Sequence, residues 1–244
     1  MNKNEFYTDL FHNFRKLVED NGLLNDEVKI TGRALTAEEA IGNTERKDFP
    51  IIKGKEKLLQ ADFKGAKGQA FTDMPNNFHG NLKQIIEMPL QTNFDTAVYI
   101  ATLNAVCRYL GITDKTVHCK DGEPEKCALE LVEYIKNKYG NPKIALIGFQ
   151  PAMLENLSKN YKVRIVDLDA NNIGKVKYGV TVEDGSKPIE DLLNWCDIVV
   201  ATGSTVANKT ITSVLLDKPT IFFGTTLAGT AALMKLERFC ACSK

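Results

Sequence analysis

Two segments of the chain place polar residues between a buried-strand pattern and a helical pattern. An apolar run at residues 198–201 ends at the Thr-Gly-Ser-Thr sequence of residues 202–205, and a helical pattern follows over residues 206–216. Such a strand end presents free backbone N–H groups and the positive end of a helix dipole. The pattern predicts a site for an anion or an oxygen-rich ligand. Residues 143–147 form a similar strand, which ends at the Gly-Phe-Gln-Pro sequence of residues 148–151.

The two strand ends are expected to bracket one ligand cleft. In a doubly wound sheet, ligands bind beyond the carboxyl ends of the strands, where the strand order reverses. Thr205 has a second interpretation, as the N-cap of the following helix. The sequence Gly224-Thr-Thr226 repeats the arrangement after another strand. The ligand-binding residues predicted on this sheet are Gly148, Phe149, Gln150, Pro151, Asp167, Thr202, Gly203, Ser204, Thr205, Asn208, Gly224 and Thr225.

Asp167 and Asp169 follow the next strand, about 20 residues after Gly148. In dinucleotide or methyl-donor binders, an acid at this place accepts hydrogen bonds from ribose hydroxyls. The alternative is a solvated strand end or a helix cap. Residues 148–151 do not follow the GxGxxG pattern, and no GxxxxGK[ST] sequence occurs. The glycine-rich loop that usually binds the pyrophosphate of a nucleotide is therefore missing.

Metal-capable side chains collect at residues 118–127, which begin with His118 and Cys119 and end with Cys127. The spacing of the two cysteines matches no zinc pattern, because zinc ligands are commonly two to four residues apart. Cys240 and Cys242 form a possible soft-metal pair near the C-terminus, but the sequence supplies no partner for them. The metal ligands therefore stay unassigned, and a transition metal is the one cofactor that the sequence suggests.

Other functional classes lack support in the composition. Lys and Arg number 31, as do Asp and Glu, so no net basic field would hold nucleic acid. The stretch of residues 53–57 is interpreted as a solvated loop. No apolar run approaches the roughly 18 residues of a membrane span, and the N-terminus carries no apolar leader. Six irregularly spaced cysteines indicate a reducing compartment, so we expect a cytoplasmic protein. No Ser-His-Asp, HExxH or GxSxG signature supports nucleophilic catalysis.

The first part of the chain predicts a mixture of helices and short strands. Residues 4–20 carry a helical apolar stripe, residues 28–31 alternate as a strand, and Thr36 with Glu39 fits a capping box. Residues 58–63 and 69–73 predict a hairpin around a Gly-rich turn. A short helix is predicted at residues 81–88. The strongest helix, residues 93–110, has one face of small residues and Asn104, which is either a satisfied core amide or a ligand contact.

From residue 123 onward, strands and helices alternate. Near-continuous apolar strands with helical crossovers indicate a parallel sheet that is covered on both faces. We expect a first domain over residues 1–113 and a second over residues 114–244. The predicted strands are 143–147, 163–168, 197–201 and 220–223, and the predicted helices are 123–139, 151–159, 189–195, 206–216 and 227–236.

In these motifs the chain resembles a family of uncharacterised bacterial and archaeal proteins that is labelled "putative heavy-metal chelation". The resemblance is best at residues 93–105, 147–151 and 197–210, and the hairpin that ends at residues 68–72 is also similar. It implies an enolase-N-terminal-like α+β domain followed by a Rossmann-like doubly wound domain, with the site between them. Two departures are evident. The family often has His after Gly148, where this chain has Phe149, and often has Gly-Pro where this chain has Gly224-Thr.

The resemblance implies a role in making or handling metal chelators, by condensation or hydrolysis of pterin-, flavin- or siderophore-like molecules. We expect a small polar or anionic ligand in an interdomain cleft, with Asn104 and Thr72 approaching from the first domain. If the protein is an enzyme, polarisation by backbone N–H groups is the mechanism that the sequence supports best. The alternatives are a non-catalytic protein that binds a metal or metal chelate, and a nucleotide- or S-adenosylmethionine-dependent enzyme. A homo-oligomer is compatible with the sequence, which leaves the oligomeric state open.

Overall fold

The computed structural model of the protein describes residues 3–31, 35–46, 48–53, 56–215 and 217–244. The N-terminal part contains a four-stranded antiparallel sheet with several helices. Its helices are α1 (Lys3–Asp20), α2 (Ala37–Ile41), α3 (Pro50–Lys53), α4 (Leu82–Ile86) and α5 (Asn93–Tyr109), and its strands are β1 (Glu27–Thr31), β2 (Lys57–Phe63), β3 (Ala66–Thr72) and β4 (Phe78–Asn81).

The antiparallel sheet has the order β3-β2-β1-β4. β2 and β3 form the predicted hairpin, but its turn is only Lys64 and Gly65, so β3 begins earlier than expected. The predicted capping box of α2 is present, because Thr36 and Glu39 each accept the other's backbone N–H through their side chains. The hairpin brings the end of β3, at Thr72, to the wall of a large cleft that is described below.

Helix α5 lies between this sheet and the second sheet, and all its residues from Thr96 to Cys107 are buried. The small residues of α5 allow the backbone of β3 to approach the helix closely. A Cβ atom at Gly68 of β3 would lie 2.3 Å from both the Ala101 carbonyl oxygen and the Ala105 nitrogen. Only a residue without a side chain fits there, so the predicted small face of α5 is a packing surface.

The C-terminal part is a seven-stranded sheet in which strands and helices alternate. Its strands are β5 (Ile144–Ile147), β6 (Val163–Asp167), β7 (Val176–Lys177), β8 (Val180–Asp184), β9 (Ile198–Thr202), β10 (Thr220–Phe223) and β11 (Arg238–Phe239). The helices that accompany them are α6 (Glu123–Tyr139), α7 (Pro151–Asn160), α8 (Glu190–Trp195), α9 (Ser204–Ala207) and α10 (Ala228–Met234), with a 3₁₀ turn at Ile211–Ser213.

The strand order is β11-β10-β9-β5-β6-β8-β7, and every pair is parallel except β7 with β8. The chain runs outward from β5 through β6 to β8 and then returns to β9 on the other side of β5. The strand order therefore reverses between β5 and β9, as the sequence predicted. This is the place where doubly wound sheets bind their ligands.

Helices cover both faces of this sheet. In β5, Ile144 and Leu146 pack with α6 and α7, whereas Ala145 belongs to a core that also holds the apolar residues of α1 and α5. This larger core runs without interruption between the two sheets. The predicted boundary at residues 113 and 114 lies between α5 and α6 and stays a prediction.

One predicted helix is wrong. Residues 206–215 of the predicted helix over 206–216 do not form a single helix, because α9 ends at Ala207 and a short 3₁₀ turn follows; residue 216 lies outside the described residues. Lys209, in the left-handed conformation with φ 61°, stands between them. Strands β4, β7, β8 and β11 were not predicted; β4, β7 and β11 are short strands at the edges of their sheets. Within the described parts of the chain, no helix combines the length and apolar character that a membrane crossing needs.

Candidate functional site

A large cleft opens over the carboxyl ends of β5 and β9, with a volume of about 1540 Å³. The antiparallel sheet contributes Thr72 and Asp73 from the end of β3, and Glu56 from the start of β2. The predicted ligand-binding residues that line it are Thr72, Gly148, Phe149, Gln150, Asp167, Thr202, Gly203, Ser204, Thr205, Asn208, Gly224 and Thr225.

Two predicted site residues lie behind the cleft wall. Pro151 is buried at the first position of α7. Asn104 is completely buried, and its amide donates to the carbonyl oxygens of Gln69, Thr225 and Thr226 while its Oδ1 accepts from Gly229 N. Because protein groups use both ends of this amide, the prediction of a ligand contact is wrong. Asn104 instead holds the loop after β10 against β3.

The two strand ends at the sheet's reversal point touch each other. Gly148 has φ 89°, and a Cβ atom there would lie 2.6 Å from Cγ2 of Thr202. A glycine is required both by the left-handed backbone and by the close approach. The pairing of these two motifs, which the sequence predicted only from the order of the strands, therefore has a direct steric basis.

The backbone donors at these strand ends are largely occupied by protein acceptors. Gly203 N donates to Phe223 O at 2.7 Å, and Ser204 N donates to the Thr202 hydroxyl at 3.3 Å. Thr205 does not cap α9, since its hydroxyl donates to Thr202 O. The N–H groups of Gly203 and Ser204 are therefore not available to the predicted anion site, and the turn also brings hydroxyl groups to the cleft.

Asp167 fastens the two loops that follow β5 and β6. Its Oδ2 accepts from Phe149 N at 2.7 Å, and its Oδ1 accepts from Asp169 N at 2.7 Å and from the Asn172 amide at 3.3 Å. Both carboxylate oxygens are therefore engaged within the protein. The expected ribose acceptor acts here as a positioning residue for the Gly148 turn.

Four carboxylates face one another across the cleft, and we call them the carboxylate cluster: Glu56, Asp73, Asp167 and Asp169. Glu56 keeps contact with solvent, but the cleft walls remove part of its hydration. This desolvation, followed by the charges of Asp167, Asp169 and Asp73, raises the pKa of Glu56 to about 7. Carboxylates from both sheets thus share one electrostatic environment.

Glu56 was missed by the sequence analysis. It belongs to residues 53–57, which were interpreted as a solvated loop, and no local pattern separates it from the charged residues beside it. Residues 54 and 55 lie outside the described part of the chain. The group becomes noticeable only where the fold sets it opposite the end of β6.

Thr225 carries an unused hydroxyl at the cleft. The residue is 1% exposed, and its Oγ1 has no hydrogen-bond partner among the described residues. The neighbouring Thr226 hydroxyl accepts from Phe71 N at 3.2 Å, which ties the same loop to β3. Buried hydroxyls nearly always have a partner, so the Thr225 hydroxyl is a candidate contact for a ligand or an ordered water.

A second group, which we call the thiol cluster, consists of Cys119, Cys127 and Cys240, all of which line the cleft. Burial raises the pKa of Cys127 to about 11 and also raises that of Cys119. Both thiols are therefore neutral near pH 7 and are poor nucleophiles. Within the described residues, no three His, Cys, Asp or Glu side chains are arranged to hold a metal ion.

His118 stands beside the thiol cluster as a neutral imidazole, because burial lowers its pKa. Its Nδ1 lies 2.7 Å from the carbonyl oxygen of Cys119. A carbonyl can only accept, so Nδ1 carries the proton and Nε2 keeps a lone pair. The ring also contacts the edge of Phe71, with centroids 5.6 Å apart.

The segment that contains α2 and α3 forms one wall of the cleft through Ile41, Phe49 and Ile51. Arg46 anchors it to the parallel-sheet side by pairing with Glu125 and Glu155. Its contact with Tyr178 completes this anchor. The wall is therefore held by charge-assisted hydrogen bonds that reach both α6 and α7.

The fold and the cleft define an α/β protein with a Rossmann-like, doubly wound sheet and a smaller α+β unit, as predicted. Residues 130–232 match the model of the family DUF364, which is described as "Putative heavy-metal chelation". This span is less than half of the chain and includes the Gly148 and Thr202 turns. The resemblance inferred from the motifs is confirmed, although the N-terminal motifs lie outside the matched residues.

Solved structures of DUF364 proteins are similar to this chain. One from Pyrococcus horikoshii, of unknown function, superposes with a TM-score of 0.56 at 15% identity, covering 91% of this chain and 79% of that one. Another, from Desulfitobacterium hafniense, gives 0.47 at 16% identity over 73% and 72% of the two chains, a similarity too low to argue from. No curated protein matches this sequence.

Proposed function

We propose that the protein binds a small, polar, positively charged molecule, such as a cationic metal chelate, in the cleft between its two sheets. The role would lie in heavy-metal chelation or in the handling of chelators. The observation that carries the proposal is the carboxylate cluster, to which both sheets contribute. The family description is compatible with it.

The charge of the described cleft residues supports a cationic ligand over the anionic one that the sequence predicted. Lys187 is the one lysine or arginine among the described lining residues, which also include Glu190 and the four acids of the carboxylate cluster. Clefts lined by one sign of charge concentrate ligands of the opposite sign. The hydroxyl groups of Thr72, Ser204 and Thr225 would supply neutral hydrogen bonds to the same ligand.

Glu56 is the best candidate for proton transfer if the bound molecule is chemically converted. General acids and bases work best when their pKa lies near the working pH, and the pKa of Glu56 is about 7. The sequence favoured polarisation of the ligand by backbone N–H groups. The structure supports this mechanism less, because Phe149 N and Gly203 N already donate to protein acceptors.

The nucleotide or S-adenosylmethionine alternative keeps one favourable feature, since the sulfonium of S-adenosylmethionine is positive. Its expected ribose acceptor, Asp167, is bonded on both oxygens. We therefore rank this alternative below a metal chelate. The same test includes S-adenosylmethionine and S-adenosylhomocysteine, which lacks the positive sulfonium.

The proposal is tested with two complex ions of similar size and opposite charge. Cobalt(III) hexaammine should raise the melting temperature of the protein at millimolar concentration, whereas hexacyanocobaltate(III) should not. Asp169→Asn should weaken the effect of the cation about threefold. Asp9→Asn, which removes an exposed carboxylate on α1, is the matched control and should leave it unchanged.

Stabilisation by hexacyanocobaltate alone would overturn the proposal and restore the anionic ligand. Equal stabilisation of the wild type and Asp169→Asn by the cation would place its binding elsewhere on the surface. A shift with S-adenosylmethionine that exceeds that of cobalt hexaammine, and that S-adenosylhomocysteine also produces, would favour the methyl-donor alternative.

A further inference from the structure

Three segments that are distant in the sequence meet at the thiol cluster. Cys119 lies before α6, Cys127 lies in the first turns of α6, and Cys240 follows β11 near the C-terminus. Val117 and Lys244 exchange two backbone hydrogen bonds, of 2.7 and 2.9 Å, which fix the C-terminal segment beside Cys119. Ser243 adds a bond from its hydroxyl to Lys115 O at 3.2 Å.

Cys127 is the centre of this group. Its side chain belongs to an apolar cluster against which Ala241 and Cys242 of the C-terminal segment pack. Cys119 and Cys240 are both close enough to Cys127 to interact with its charge.

The thiols restrict which ion could bind. Structural zinc needs four ligands in a tetrahedron, and no set of three ligands is ready within the described residues. A soft d¹⁰ ion such as Cu(I) prefers thiolates and is satisfied by only two of them in a linear arrangement. Cys127 and Cys240 supply two thiols at the wall of the cleft, and the Cys240 thiol would exchange its 2.8 Å contact with Ser243 for the ion.

We propose that Cys127 and Cys240 form a two-thiolate site for a soft monovalent ion of the Cu(I) class at the wall of the cleft. Each coordinating thiol releases its proton to solvent, so one Cu(I) ion replaces two protons and no electron is transferred. The site does not depend on the ligand proposed for the carboxylate cluster.

The test is an anaerobic titration of the reduced protein with Cu(I), in competition with bathocuproine disulfonate, a coloured Cu(I) chelator. The wild type should remove one equivalent of Cu(I) from the competitor. Cys127→Ala and Cys240→Ala should each weaken binding at least about tenfold. Cys196→Ala, which removes a buried thiol before β9 whose hydrogen bond is to Leu193 O, is the matched control and should bind as the wild type does.

Circular dichroism establishes that each variant is folded. If Cys127→Ala fails to fold, Cys240→Ala decides, because Cys240 is only half-buried and lies in the terminal segment. Wild-type affinity in both Cys127→Ala and Cys240→Ala would overturn the proposal, as would tighter binding of Zn²⁺ than of Cu(I). Loss of cobalt hexaammine binding in Asp169→Asn with intact Cu(I) binding would separate this site from the cleft ligand.

Discussion

The carboxylate cluster and the thiol cluster line the same cleft but differ in the chemistry that they offer. The carboxylates are hard oxygen donors, and Glu56 keeps contact with solvent. The thiols of Cys119 and Cys127 are soft donors that are 7% and 4% exposed. Loss of hydration raises the pKa of Glu56, Cys119 and Cys127 alike, but it leaves Glu56 near neutrality and the thiols protonated.

The difference shows how burial selects a ligand. A carboxylate with a pKa near 7 attracts cations while exchanging its proton easily. A protonated thiol does not bind hard cations, and it binds only those ions that displace its proton. Under the two proposals, the cleft would discriminate between hard and soft partners by their position along its wall. The following predictions test this division, from the largest expected effect to the smallest.

Asn104→Leu should damage both clusters at once. The substitution removes an amide that makes four buried hydrogen bonds between β3, the loop after β10 and α10. Unsatisfied buried groups cost about 1–3 kcal/mol each, so we expect a loss of about 3–5 kcal/mol in the free energy of unfolding, measured by urea denaturation. Thr102→Val on the same helix removes a hydroxyl without a described partner and should be neutral or stabilising. Similar losses in both variants would contradict the role given to Asn104.

Gly68→Ala should have a smaller effect on the same scaffold. The new methyl group would meet the backbone of α5 at Ala101 and Ala105, which cannot move independently of the helix. Overpacking of this kind costs about 1–3 kcal/mol, or roughly 5 °C in melting temperature. Gly122→Ala is the control, because its Cβ has open space and its φ is −84°. An unchanged melting temperature for Gly68→Ala would mean that β3 and α5 are farther apart.

The double variant Asp73→Asn and Asp169→Asn should separate the two clusters. It removes one carboxylate contributed by each sheet, and we expect affinity for cobalt(III) hexaammine to fall about fivefold to tenfold. Affinity for Cu(I) should not change, since thiolates select soft ions. Isothermal titration calorimetry measures the first affinity and chelator competition the second. A parallel loss of both would show that the clusters form one site.

Glu56→Gln tests the cause of the raised pKa through stability. Glu56 has a pKa of about 7 in the folded protein instead of 4.5, so the folded state holds a proton that the unfolded state has lost within this range. Stability of the wild type should therefore fall as pH rises from about 4.5 to 7 and stay lower above it. The Gln variant should match the wild type below pH 4.5.

Above pH 7, Glu56→Gln should melt higher on the order of 1 °C, a small effect because the side chain keeps contact with solvent. Scanning calorimetry across this pH range measures it. Glu133→Gln is the control, because it removes a carboxylate at an exposed position of α6 and so measures the effect of losing a surface charge on the melting temperature. Identical pH dependence of Glu56→Gln and the wild type would refute the electrostatic coupling of Glu56 to the acids after β6.

The parts of the fold that follow from local periodicity were predictable. Helices α1, α5 and α6 and strands β5 and β10 lie within a residue or two of their predicted bounds. The predicted helix over residues 206–216 failed, because a helical pattern of apolar residues does not reveal that Lys209 takes a left-handed backbone. The short strands β7 and β11 are formed by pairing with neighbours, which a local pattern does not contain.

The candidate site was predictable in its place and less so in its chemistry. The Gly148 turn and the Thr202–Thr205 turn meet as expected, since parallel strands bring their carboxyl ends to one edge. Whether the N–H groups of those turns were free could not be known, because their acceptors, Asp167 and Phe223 O, come from other strands. Asn104 had two interpretations, and only the positions of Gln69 and Thr225 decided between them.

By itself, the sequence determined the alternation of strands and helices, the strand ends that bound the cleft and the resemblance to a family. These depend on residues that are neighbours in the chain, so their pattern is visible along it. The tertiary structure alone decided that Glu56 faces Asp167 and Asp169, and that Cys240 lies beside Cys119 and Cys127. Loss of hydration and charge coupling arise only when distant segments pack together, and they set the chemistry of the cleft.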